Sequence, residues 1–119
     1  MYNLGMIRNK TKKTVIAKKV FAKSFFGKIK GLIGEKTDQA ITFNTRFGIH
    51  TFLLKKPIDV VVLNKNKQIA VLKSDLEPNR IFLWNIRFNL VIELPQGSLK
   101  KSKTELGDTI LLPEEFRNA

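Results

Sequence analysis

Residues Ile58 to Leu63 have the sequence IDVVVL, a run that is apolar, largely β-branched and as long as a single strand. β-Branched side chains favour extended backbone, and a continuous apolar run indicates a strand that is covered on both faces. The residues that follow, 64–67 (NKNK), are typical of a hairpin turn. We therefore expect the chain to return as a second strand over Gln68 to Leu72.

Further short apolar segments follow one another along the chain. Strands are predicted at Thr14–Phe21, Ala40–Phe43, Ile49–Leu54, Phe88–Leu94 and Thr109–Leu112. The segment 76–87 (LEPNRIFLWNIR) contains Pro78 and Asn79, which predict a loop that carries Trp84 back to the core. Short strands divided by turn residues favour an all-β sandwich or barrel.

One helix is predicted near the N-terminus, in residues 22–34 (AKSFFGKIKGLIG). Phe25 and Ile29 lie at helical spacing, Ser24 is suited to the N-cap, and Gly34 is suited to end the helix. The predicted fold class is therefore mainly β: a small antiparallel sandwich or barrel-like domain with one short helix near the N-terminus.

The length of 119 residues provides for one hydrophobic core. Residues 1–13 are polar and basic and are predicted to be an arm that could be flexible, while 14–119 are predicted to form a single domain. The apolar stretch 14–17 (TVIA) is too short for a signal peptide, and no apolar run is long enough to span a bilayer. We therefore expect a cytoplasmic protein without a transmembrane segment.

The chain is strongly basic, with a formal net charge of +12. Residues 1–37 hold ten Lys or Arg against one acid, so +9 of this charge lies in the first third. Such asymmetry suggests an anionic partner, which could be nucleic acid, an acidic membrane surface or an acidic protein. Lysines outnumber arginines by 17 to 5, which favours a solvated, solubilising surface over specific phosphate recognition. The anion-binding candidates are Lys12, Lys13, Lys18, Lys19, Lys23, Lys28 and Lys30.

Three sequence blocks, taken in order, resemble a known family. They are 30–34 (KGLIG), 48–72 (GIHTFLLKKPIDVVVLNKNKQIAVL), and 90–97 (LVIELPQG) followed by 106–112 (LGDTILL). Together they resemble the domain of unknown function 192 (DUF192) family from about Val15 to Leu112. The resemblance implies a mostly β, sandwich-like fold with a short helix. It implies no activity, because the family is functionally unassigned.

Four residues form a candidate pocket: His50, Thr51, Asp59 and Glu93. His50 is the single histidine and has the chemistry of a general acid or base, but we favour a structural imidazole at a strand end. A carboxylate such as Asp59 or Glu93 within an apolar strand needs a partner. Backbone amides of a loop are the favoured partner. Convergence of both carboxylates with His50, as a proton-transfer or hard-cation site, is the alternative.

The absence of cysteine excludes disulfides, thiolate metal sites and a cysteine nucleophile. No phosphate-binding loop, serine-hydrolase elbow or histidine zinc motif occurs, so neither metal nor cofactor is predicted. Three functions remain, in order of preference. The first is a small binding or interaction module for an unknown ligand or protein. The second is a binder of anionic surfaces, and the third an enzyme that uses His50; an enzyme is not favoured.

Overall fold

The structure is a computed structural model that describes residues 5–22, 39–52 and 54–116. Within these ranges the strands are β1 (Ile7–Asn9), β2 (Thr14–Ala17), β3 (Lys19–Ala22), β4 (Gln39–Asn44), β5 (Gly48–His50), β6 (Ile58–Leu63), β7 (Ile69–Leu76), β8 (Ile81–Leu83), β9 (Leu90–Pro95) and β10 (Ile110–Leu111). A short helix, α1 (Ser98–Lys101), lies between β9 and β10, and a 3₁₀ turn (Glu114–Phe116) follows β10.

A five-stranded sheet in the order β3-β4-β9-β6-β7 forms the centre of the molecule. Its neighbouring strands are antiparallel, except that β3 and β4 run parallel. Strand β6 pairs with β7 on one side and β9 on the other, and all six of its residues are buried. The prediction of a strand covered on both faces at Ile58–Leu63 is confirmed.

Each face of this sheet packs against a separate layer, because successive side chains of a strand point to opposite faces. On one face, Val61 and Ile92 pack with Ile16 of the three-stranded sheet β10-β1-β2 and with Leu99 of α1. On the other face, Val60 and Val91 belong to a second apolar cluster with residues of β5 and β8. The β5–β8 ribbon thus forms the outer layer on this second side.

The predicted mainly β, sandwich-like fold is confirmed, with strands that are mostly antiparallel. The helix predicted between Ser24 and Gly34 lies outside the described residues. The described helix, α1, was not predicted. No helix in the described ranges combines the length and apolar character needed to cross a membrane.

The N-terminal residues and the first predicted strand differ from expectation. Ile7–Asn9, placed in the predicted arm, pairs as β1 with β2 and β10, and Ile7 is fully buried. The boundary predicted between residues 13 and 14 therefore falls within a β-hairpin. Thr14–Phe21, predicted as one strand, is divided at Lys18 into β2 and β3, which belong to different sheets.

Candidate functional site

Asp59 of β6 is a buried carboxylate that is satisfied by backbone amides. Its Oδ1 accepts a hydrogen bond of 3.0 Å from the N–H of Asp75, and its Oδ2 accepts one of 3.0 Å from the N–H of Leu99 in α1. Only 1% of its surface is exposed. The favoured interpretation of Asp59, a structural acceptor of backbone hydrogen bonds, is confirmed.

Glu93 lies on the opposite face of the sheet from Asp59. In the β6–β9 register Val60 pairs with Glu93 and Asp59 with Leu94, and directly paired residues share a face. Glu93 therefore projects on the side of Val60, whereas Asp59 projects towards Leu99 of α1. Because the two carboxylates leave the sheet in opposite directions, the structure does not bring them into one pocket.

Thr51 lies directly after β5 and forms hydrogen bonds to the turn that leads into β8. Its hydroxyl donates a 2.6 Å hydrogen bond to the carbonyl of Glu77 and accepts one of 2.9 Å from the N–H of Arg80. Its carbonyl accepts a hydrogen bond from Asn79, which has a left-handed φ of 62°. Thr51 is buried and fixes the position of the ribbon, so it is not available to a ligand.

His50 is exposed on the outer side of the ribbon. Its ring stacks on that of Phe52, with centroids 4.8 Å apart and an angle of 21° between the planes. In the described ranges no carboxylate pairs with this ring, and no group of three potential ligands could hold a metal ion. Of the four candidate residues, Thr51 and Asp59 are buried, Glu93 is half-buried, and His50 is exposed beside other exposed side chains that could form a site.

The outer face of the ribbon is apolar. Gly48 pairs with Leu83 and His50 with Ile81, so these four residues share one face, while Ile49 and its partner Phe82 point to the core. Exposure ranges from 50% to 67% among the apolar residues of the ribbon and its flanks, which are Phe47, Phe52, Ile81, Leu83 and Ile86. A β-ribbon normally presents polar side chains to water, so this surface requires an explanation.

The ribbon is held firmly despite this exposure. A γ-turn closed by a 2.9 Å hydrogen bond from Gly48 N–H to the Arg46 carbonyl places Phe47 at a φ of 76°. Positive φ at a bulky residue is strained, and such strain is found preferentially at functional sites. Trp84 anchors the other strand through a 2.7 Å hydrogen bond from Nε1–H to the Phe88 carbonyl. Phe47 and Trp84 are neighbours at one end of the ribbon, where the Trp84 N–H also donates a 2.8 Å hydrogen bond to the Phe47 carbonyl, so this end is fixed by local bonds.

The basic candidates are not equivalent. The Lys12 ammonium lies 2.9 Å from Asp108 and 3.0 Å from Glu105, so its charge is already paired within the chain. Lys13, Lys18 and Lys19 are exposed. The candidates Lys23, Lys28 and Lys30 lie outside the described residues.

The Lys12 contact belongs to a buried network that sequence reasoning missed. Asp108 Oδ2 accepts hydrogen bonds of 2.9 Å from the Asn9 amide and from the Glu105 N–H, and Asn9 also donates to Thr104. Asn9 is 99 positions away from Asp108 in the sequence, so no local sequence pattern indicates this contact. The network ties the N-terminal strand to the C-terminal turn and has a structural role.

Comparisons with known proteins show the family of the chain. The model of the DUF192 family, described as uncharacterized ACR, matches residues 6–112. The chain belongs to the DUF192 family. Its relatives include a UPF0127 protein of Pyrococcus horikoshii, 34% identical over 95 residues (75% of this chain and 82% of the relative). Another, from Pyrococcus abyssi, is 33% identical over 114 residues (90% and 97%).

The DUF192 fold is also found in a solved structure. A crystal structure of a protein of unknown function from Novosphingobium aromaticivorans has a TM-score of 0.67 and 12% sequence identity. The match covers 90% of this chain and 82% of that one. At such low identity the likeness establishes a shared fold. The predicted family membership is confirmed, and the family carries no assigned function.

Proposed function

We propose that this DUF192 domain is a protein-interaction module whose docking surface is the outer face of the β5–β8 ribbon. The observation that carries the proposal is the shared exposure of Phe47, Phe52, Ile81, Leu83 and Ile86. Large apolar side chains gathered on one rigid element are characteristic of protein interfaces, and aromatic residues are enriched there.

Charge indicates the chemistry of the partner. Arg46 and Arg87 are exposed at one end of the ribbon, and Lys55 and Lys56 follow its other end. With a net charge of +12, a second copy of the chain would bring like charges together. An acidic polypeptide segment that also carries apolar side chains complements both features. We therefore assign the docking surface to such a segment.

A cavity beside the ribbon supports a protein partner. It has a volume of about 380 Å³ and lies between β7 and β8, with Leu76, Ile81 and Phe82 among its lining residues. Lys73 and Arg80 also line it, together with Asp75 and Glu77. A recess of this size accommodates an apolar anchor side chain of a partner, as is common at the centre of interfaces.

The other functions that the sequence left open have less support. The enzyme suggested from the sequence would use His50 together with Asp59 and Glu93, and in the described ranges neither carboxylate pairs with His50. Binding of nucleic acid or an acidic membrane by the N-terminal lysines stays a prediction, as does the cytoplasmic location.

Peptide selection tests the proposal directly. We expect a library of random 16-residue peptides, displayed on phage and panned on the protein, to yield sequences that combine large apolar and acidic residues. Replacing both Ile81 and Leu83 by threonine should weaken the selected peptides at least tenfold, because it removes apolar contact while keeping β-forming residues. Leu106→Thr is the matched control, since Leu106 is 64% exposed, as is Ile81, but lies outside the ribbon.

Two results would contradict the proposal. The first is unchanged binding of the selected peptides by the double variant, or an equal loss in the Leu106→Thr control. The second is binding of the protein to anionic lipid vesicles that depends on Ile81 and Leu83 while the peptide library yields no binder. That result would assign the apolar face to a membrane surface.

A further inference from the structure

A second cavity lies on the other side of the central sheet, away from the ribbon. Its volume is about 300 Å³, and it lies between β2 and the turn that leads from β9 into α1. One wall is formed by residues 15–18, and the other by residues 95–98 together with Lys101. Cavities of this size suit a small molecule and are too small for a polymer.

The charges at this cavity have one sign. Among the residues that the structure describes, Lys18 and Lys101 line it, and no aspartate or glutamate does. Across the described ranges neither ammonium group has a hydrogen-bond or ion-pair partner, in contrast to Lys12, which has two acidic partners. Two uncompensated positive charges at one concave site attract an anion, because concave surfaces concentrate the field of the charges that line them.

Two polar side chains of the wall already have partners within the chain. The Ser98 hydroxyl donates to the Pro95 carbonyl, and the Gln96 amide donates to Asp75 outside the cavity. The N–H of Leu99 in α1 is occupied by Asp59, so the helix start does not provide the site. Recognition of an anion therefore depends on the two lysines, while Val15 and Pro95 offer apolar contact to the rest of a ligand.

We propose that this cavity binds a small organic anion whose phosphate or carboxylate group lies between Lys18 and Lys101. The apolar part of the ligand packs against Val15 and Pro95. This site is independent of the ribbon surface and does not rest on the proposed interaction function. Of the four described lysines among the anion-binding candidates, Lys18 lines it and Lys12, Lys13 and Lys19 do not.

An NMR titration of the isotope-labelled protein tests the proposal with three small molecules: phenyl phosphate, benzoate and neutral benzyl alcohol. We expect either anion to shift the amide signals of Lys18, Gly97, Ser98 and Lys101, and benzyl alcohol to shift none. A stronger response to phenyl phosphate assigns the site to phosphate ligands, and a stronger response to benzoate assigns it to carboxylates.

Variants separate this site from general surface charge. Replacing Lys18 and Lys101 together by glutamine should weaken the preferred anion about tenfold, in keeping with the loss of two exposed charge contacts. Lys100→Gln removes the same kind of charge from the neighbouring position of α1, outside the cavity wall, and should have less than a twofold effect. Equal weakening by Lys100→Gln, signals spread over many exposed lysines, or unchanged binding by the double variant would each overturn the proposal.

Discussion

Replacing Asp108 by alanine should lower the free energy of unfolding by about 3 kcal/mol. Asp108 is 5% exposed and accepts hydrogen bonds from the Asn9 side chain, the Lys12 ammonium and the Glu105 N–H. Alanine removes this shared acceptor: Lys12 keeps Glu105 and Asn9 keeps Thr104, but one N–H of the buried Asn9 amide loses its partner where water cannot replace the lost bond. The substitution should also destabilise β1, because β1 pairs with β10 beside this network.

Urea denaturation of the purified protein measures this loss. Glu105→Gln is the control: Glu105 pairs with the same Lys12, yet its side chain is 73% exposed, so its loss should cost at most about 0.5 kcal/mol. A loss below about 1 kcal/mol for Asp108→Ala would show that the network contributes little to stability.

The same network predicts how stability depends on pH. Burial alone would raise the pKa of Asp108, but the hydrogen bonds from Asn9, Lys12 and the Glu105 amide outweigh it and hold this pKa below its ordinary value of 3.8. The stabilisation is therefore present above that value and is lost as pH falls through the lower pKa of the folded state. In Asp108→Ala this part of the acid-induced loss should disappear from denaturation curves recorded along a pH series.

At alkaline pH, Lys12 makes the stability fall as pH rises, the opposite of the effect of Asp108. Its hydrogen bond to Asp108, and then that to Glu105, raises the pKa of Lys12 above its ordinary value of 10.5. The contribution of Lys12 is present below that value and is lost as pH rises through the higher pKa of the folded state. Between these two limits the network is intact, so it should contribute a constant amount to stability near neutral pH.

Replacing Asp59 by alanine should lower the free energy of unfolding by about 2 to 3 kcal/mol. The change leaves the N–H groups of Asp75 and Leu99 without their acceptor, and Asp59 itself is almost completely buried. Asp59 links β6 to both β7 and α1. Loss of its hydrogen bonds should therefore also make α1 and the turn before it less stable. Hydrogen exchange should therefore quicken at Asp75 and Leu99.

Asp75→Asn provides the matched control for this second prediction. It removes an exposed carboxylate beside the same contact, and asparagine tolerates the left-handed φ of 55° at this position. Its effect should stay within about 0.5 kcal/mol. If Asp59→Ala were as stable as Asp75→Asn, with the hydrogen-exchange rate at Leu99 unchanged, the stabilising role of the hydrogen bonds to Asp59 would be refuted.

The sequence predicted the central sheet well because its strands are marked by their own composition. Apart from Asp59, Ile58–Leu63 is apolar on both faces, and the observed strand has the predicted bounds. The ribbon was predicted poorly. Of the expected strand Ile49–Leu54, only Ile49 and His50 belong to β5, and the partner strand Ile81–Leu83 lies in a segment predicted to be a loop. Pairing between residues more than 30 positions apart leaves no local periodicity to detect.

The candidate site was predicted in part. A buried carboxylate in an apolar strand needs backbone donors, and this physical rule identified the role of Asp59. It could not show that Glu93 projects from the opposite face, because that depends on the register between β6 and β9. The exposed residues Ile81 and Leu83 were also missed, since apolar side chains suggest a core and the sequence does not show which of them face water.

The central claim is that the outer face of the ribbon binds an acidic, apolar polypeptide segment. The most direct measurement is an NMR titration of the isotope-labelled protein with one peptide selected from the library. The account predicts that the shifted amide signals fall mainly in residues 47–52 and 81–86. Signals that shift instead around β2 and α1, or evenly over the lysine-rich surface, would contradict it.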